Sequence, residues 1–150
     1  MRFALDSNIL IYAEGVNDMT RQAIALRLIE GIGSADLVVP LQVAGETLMR
    51  ISKGGRVSKS KAVAIIDSWL ARLPVQETTS DVFAGALELA AKHAFQIWDA
   101  VILSAAAVAG ASVLLSEDMQ DGFTWNGVTI INPFADNPAK LVRAILDRTP

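Results

Sequence analysis

Ile97-Trp98-Asp99-Ala100-Val101-Ile102-Leu103-Ser104-Ala105-Ala106-Ala107-Val108-Ala109-Gly110-Ala111-Ser112-Val113-Leu114-Leu115-Ser116-Glu117-Asp118 is the stretch on which the fold turns. Residues 100–116 carry no charge and approach the roughly 17 to 25 residues needed to span a bilayer. Gly110-Ala111-Ser112 interrupts the run, and Ala105-Ala106-Ala107 leaves it only mildly apolar. It reads instead as a buried helix over 97–109 followed by a buried strand over 113–116, both of ordinary length. No membrane is expected.

Working outward, the same alternation covers the chain. Residues 2–6 read as a short buried strand, with Ser7 or Asn8 capping a helix through Ala13. Asp18 or Thr20 starts a second helix that stops at Gly31 and Gly33. Leu37-Val38-Val39 is a strand, Pro40 opens a helix to about Ser52, and Gly54-Gly55 ends it. Ser58 caps a helix with Ala62, Ile65, Ile66, Trp69 and Leu73 at helical spacing before Pro74. Val75 to Thr78 is a weak strand, and Ser80 or Asp81 caps a helix to about His93. Val128 to Ile131 is the last strand, and Asn137-Pro138 opens a final helix to about Asp147. Strands alternating with helices predict right-handed crossovers and a parallel sheet covered on both faces.

The composition fits one domain over 1–150. Its hydrophobic fraction of 52% suits a sheet buried on both sides. Cysteine is absent and histidine occurs once, which excludes thiol nucleophiles, disulfide scaffolds and zinc sites of the usual Cys/His ligand count. Oxygen ligands remain, and these suit magnesium, manganese or calcium. The opening residues lack the charged start and apolar core of a signal peptide, so a cytoplasmic protein is expected. The net charge of -3 argues against a generally cationic nucleic-acid binder. Arg50, Lys53, Arg56, Lys59 and Lys61 nevertheless form a segment without an acid, suited either to a solvated surface or to phosphate contacts.

Against this background four acids in apolar company stand out: Asp6 after Phe3-Ala4-Leu5, Glu46 among Leu41 to Met49, Asp99 after Ile97-Trp98, and Asp118 just past Val113-Leu114-Leu115. Each alone has an ordinary explanation. Asp6 serves as a cap, Glu46 pairs with Arg50 one turn on, Asp99 favours a helix first turn, and Asp118 sits in a loop. Together they are hard to place on a bland surface. Ligands of parallel α/β sheets bind outside the carboxyl ends of the strands, where Asp6 and Asp118 fall. Carboxylates held close raise one another's pKa, and divalent ions remove that repulsion while activating water and stabilising the oxygens of an in-line phosphoryl displacement.

Leu5-Asp6-Ser7-Asn8-Ile9-Leu10, Glu46, Trp98-Asp99-Ala100 and Leu115-Ser116-Glu117-Asp118-Met119-Gln120-Asp121-Gly122 together resemble a PIN domain, most closely the VapC-type toxins of toxin-antitoxin pairs. The resemblance implies a three-layer α/β/α fold with a central parallel sheet of four to five strands. It also implies a ribonuclease dependent on Mg2+ or Mn2+ that cuts RNA. It assigns Asp6, Glu46, Asp99 and Asp118 to the acidic pocket as catalytic and metal-binding residues. Asn8 and Ser116 take supporting positions by hydrogen bonding, and Asp121 approaches from outside the first ring of ligands. The resemblance further implies a small antitoxin partner and a homodimer. Arg50, Lys53 and Arg56 are then the candidates for RNA contact.

His93 reads as a helix-end cation and not a general base. Trp69 reads as core, Trp98 is ambiguous, and Trp125 is a further candidate for base stacking. Three competing readings remain: an RNA-processing nuclease without a toxin role, an aspartate-nucleophile phosphatase, and a non-catalytic binding module. The phosphatase wants a second acid two residues after Asp6, where this chain has Asn8.

Overall fold

The computed structural model describes all 150 residues, Met1–Pro150. Its strands are β1 (Phe3–Leu5), β2 (Leu37–Pro40), β3 (Val75–Gln76), β4 (Val113–Leu115), β5 (Thr124–Trp125) and β6 (Val128–Ile131). They form one sheet in the order β3-β2-β1-β4-β6-β5. All neighbours pair in parallel except β5 with β6. Seven helices connect and cover them: α1 (Ser7–Ala13), α2 (Met19–Ile32), α3 (Leu41–Ser52), α4 (Lys59–Arg72), α5 (Ser80–His93), α6 (Ile97–Val108) and α7 (Lys140–Arg148).

Every residue of β1, β2 and β4 is buried. Successive strand side chains point to opposite faces, so both faces of the sheet are covered. The uncharged stretch over 100–116 runs from the first turn of α6 through β4. Ala100 to Ala106 are all buried, because α6 packs against α5, α3 and the sheet at once. No helix is long and apolar enough to cross a membrane.

The sheet has one strand beyond the four to five expected. Trp125-Asn126-Gly127-Val128 makes a two-residue hairpin, with Asn126 at φ 45° and Gly127 at φ 81°. Asn-Gly between strand residues is the strongest short hairpin signal, and β5 was legible from it. Caps differ in detail. Asp6 itself caps α1, Thr79 caps α5, and α7 starts at Lys140, two residues after Pro138. Asp18 and Ser58 cap α2 and α4 as their sequence suggests.

Candidate metal centre at the carboxyl edge of the sheet

The chain moves outward from β1 to β2 and β3, then returns to the other side of β1 with β4. The order of the strands therefore reverses between β1 and β4, and open α/β sheets place their ligands in the crevice at such a point. Leu5 and Leu115 are register partners at the ends of these two strands, so the residues after them emerge side by side. Those residues are Asp6 just past β1 and Ser116, Glu117 and Asp118 just past β4. Because α6 leads into the start of β4, its own first turn lies at the opposite, carboxyl edge, which is where Asp99 sits. Glu46 comes to the same edge on α3, which follows β2 directly.

Asp6 is buried and held on both oxygens. Oδ1 accepts from Ser7 N at 2.6 Å, and Oδ2 accepts from Ser116 Oγ at 2.6 Å and Asn8 Nδ2 at 3.2 Å. Asn8 also donates through Nδ2 to Asp118 Oδ2 at 3.4 Å and accepts Glu117 N on its Oδ1 at 3.3 Å. Glu46 is reached by Ser7 Oγ at 3.0 Å and by Gln42 Nε2 at 3.2 Å. Neutral donors thus span the gaps between the carboxylates. Asp118 is exposed and Asp99 only partly buried, so of the four only Asp6 has the deep burial that an apolar sequence context suggests.

The electrostatics identify a shared negative field. Burial pushes the Asp6 carboxyl up to about 6 against the lowering hydrogen bonds of Ser116 and Ser7, and Asp99 and Glu46 add to the rise. Asp99 is raised by burial first and then by the charges of Glu46 and Asp118. The ion pairs of the molecule are Met1 with Asp36, Arg21 with Asp18 and Glu117, and Lys92 with Glu88, and none reaches these four acids. The ordinary alternative for Glu46, a pair with Arg50, is not formed; Glu46 takes Ser7 and Gln42 instead.

No three of the acids converge on one point as a finished ligand set. They are close enough that the charges of Glu46 and Asp99 add to the rise at Asp6, and those of Glu46 and Asp118 to the rise at Asp99. The donor chemistry fits a hard divalent cation: all oxygens, no histidine, no thiol, and no lysine or arginine already neutralising the charge.

Ser7, Asn8, Tyr12, Glu46, Arg50 and Asp118 line a cleft of about 560 Å³. A second cleft of about 250 Å³ continues from it through Val16, Asn17 and Arg50 to Lys53 and Arg56. Glu46 and Asp118 of the acidic group are therefore contiguous with Arg50, Lys53 and Arg56. Asp121 is used differently, since its Oδ1 accepts Asn132 N at 2.9 Å and fastens the loop after β6. His93 ends α5 and meets Phe123 edge to face at 5.4 Å. Trp69 is buried, with its indole N–H on Glu14 at 2.7 Å; Trp125 is buried and Trp98 exposed. Gln42 and Ser7 also belong to the site through their bonds to Glu46, and for Gln42 the four-residue spacing from Glu46 on a helix is a legible signal.

A model of the PIN domain family matches residues 3–120, which include all four acids. No curated protein matches the chain. Among solved structures it is similar to VapC20 of Mycobacterium tuberculosis, a sarcin-ricin loop cleaving toxin, at a TM-score of 0.64 and 19% identity over 77% of this chain and 91% of that one. It is also similar to VapBC2 of Rickettsia felis bound to promoter DNA, at 0.63 and 18% over 87% and 97%. A toxin-antitoxin complex from Klebsiella pneumoniae gives 0.65 and 17% over 84% and 94%.

Proposed function

The chain belongs to the PIN domain family, and from that premise we propose that it is a Mg2+- or Mn2+-dependent endoribonuclease, the toxin of a type II toxin-antitoxin pair. The observation that carries the reading is four carboxylates at the strand-order reversal with no cationic side chain paired to any of them. The toxin and the toxin-antitoxin complexes that share this fold support the toxin role and an antitoxin as partner; a homodimer is proposed with them as the working form. The proposed setting is the cytoplasm.

Asp6, Glu46, Asp99 and Asp118 would hold the metal. When bound, a divalent ion supplies an activated water and neutralises charge on the scissile phosphate. The protein's own residues then have separate tasks. Ser116 and Ser7 hold the Asp6 carboxylate in its charged, ligating form, Asn8 fixes the spacing between Asp6 and Asp118, and Gln42 orients Glu46. Arg50, Lys53 and Arg56 guide the RNA backbone along the adjoining cleft.

The phosphatase alternative loses support at Asn8. Its amide is committed to Asp6, Asp118 and the Glu117 backbone, and an amide cannot serve as the second acid. Cleavage of structured RNA by the purified protein tests the reading. Activity should require Mg2+ or Mn2+, stop with chelator, and be lost in Asp99→Asn. Full activity in that variant overturns the assignment. Expression with and without the neighbouring reading frame separates a toxin from an RNA-maturation enzyme: growth arrest relieved by a small co-purifying protein marks the toxin.

A further inference from the structure

Glu117 stands between two residues of the acidic centre, Ser116 and Asp118, yet its carboxylate is turned toward α1 and α2. Oε2 accepts from the Tyr12 hydroxyl at 2.6 Å, and Oε1 accepts from Arg21 Nε at 2.8 Å with Arg21 Nη2 at 2.7 Å. Arg21 is fixed in turn. Its Nη1 bonds Asp18 Oδ2 at 2.8 Å, and its guanidinium lies 5.6 Å from the ring centre of Tyr12 and 5.8 Å from that of Phe134. The two rings meet edge to face at 5.1 Å. The backbone of Glu117 is also caught, by Asn8 Oδ1. Asp118 by contrast is exposed, and the one side-chain bond it makes is the 3.4 Å contact from Asn8.

We propose that Arg21 is a positioning residue for the metal centre: by clamping Glu117 together with Tyr12 it fixes the turn over 116–118, so that Asp118 faces the other acids and Glu117 does not. The proposal rests on the metal-nuclease reading above. Two physical reasons support it. A loosely held carboxylate on an exposed turn must be ordered before it can ligate, and ordering a long chain of rotamers costs free energy that a pre-fixed turn avoids. A fifth carboxylate one residue from Asp118 also adds repulsion to a site already crowded with negative charge, unless a guanidinium neutralises it where it stands. Without Arg21, Glu117 is free to swing toward the pocket and compete with Asp118. Outer partners of metal ligands commonly change affinity by roughly 10- to 100-fold.

The test uses the full-length chain and Mn2+ alone as probe, with free Mn2+ read by electron paramagnetic resonance. Arg21→Met should weaken Mn2+ binding by about tenfold, Arg21→Lys should recover part of it, and Tyr12→Phe, which keeps the ring packing, should give a smaller loss. In RNA cleavage by Arg21→Met the KM for RNA should stay unchanged, while the Mn2+ concentration for half-maximal rate rises. Wild-type Mn2+ affinity in both Arg21→Met and Tyr12→Phe, whatever their melting temperatures, overturns the proposal. If Arg21→Met does not fold, Tyr12→Phe decides it. Wild-type protein that neither binds Mn2+ nor cleaves RNA sinks the nuclease reading itself, a different outcome from a wild type that does both while the variants match it.

Discussion

Ser116 Oγ donates to Asp6 Oδ2 at 2.6 Å, joining two residues 110 positions apart at the ends of adjacent strands. The hydroxyl also accepts Met119 N at 3.2 Å, so one side chain ties the buried acid just past β1 to the turn that carries Asp118.

Removing that hydroxyl leaves Asp6 and the Met119 N–H each short of a partner in a buried setting. Ser116→Ala should cost about 1 to 3 kcal/mol in urea unfolding. It should also weaken Mn2+ binding, because the bond favours the charged form of Asp6. Unchanged stability and unchanged Mn2+ affinity would contradict the role given to Ser116.

Asp6 makes the metal-free protein sensitive to pH. Its carboxyl is raised from 3.8 to about 6, so the folded state holds the proton more tightly than the unfolded chain does. The associated stability is fully present below about pH 4 and is lost as pH rises through 6, with an upper size of about 3 kcal/mol. Unfolding of metal-free wild type and Asp6→Asn should diverge over that window, the variant lacking this decline. Added Mg2+ at pH 7.5 should stabilise wild type more than Asp6→Asn. Parallel pH profiles for the two proteins would rule the effect out.

The basic segment should act through phosphates. In an Asp99→Asn background, replacing Arg50, Lys53 and Arg56 together by Ala should weaken RNA binding, and the slope of log K against log salt should fall by about 2. Fluorescence anisotropy across a salt series measures it. An unchanged slope would place the RNA elsewhere.

Tight packing behind the site gives a further check. A methyl group on Gly85 of α5 would overlap Ser104 Oγ and come within 3.0 Å of the Trp125 ring, and Ser104 lies on α6, the helix that carries Asp99. Gly85→Ala should destabilise by about 1 to 3 kcal/mol. Thermal unfolding tests it, and a variant as stable as wild type would show that α5 can shift.

Much of this arrangement was legible because it follows from local rules. Buried runs such as Val113 to Leu115, breaks at Gly33 and Pro74, and the caps Asp18 and Ser58 act over a few residues. Asp6 and Asp118 could be placed together because the ends of parallel strands share an edge. Hidden from the sequence were pairings across long separations. Ser7 with Glu46, Asn8 with Asp118, and Arg21 with Glu117 depend on how helices settle on the sheet, which no local pattern encodes. Glu46 illustrates the limit: spacing offered it Arg50 on one side and Gln42 on the other, and only the packed structure selects Gln42.

We propose that the four acids at the strand-order reversal hold a divalent metal. The most direct measurement is the anomalous scattering of a crystal of this protein grown with Mn2+. A peak among Asp6, Glu46, Asp99 and Asp118, absent from crystals of Asp99→Asn, is the predicted result. A well-ordered pocket with no peak there at millimolar Mn2+, or a peak only elsewhere on the molecule, would contradict it.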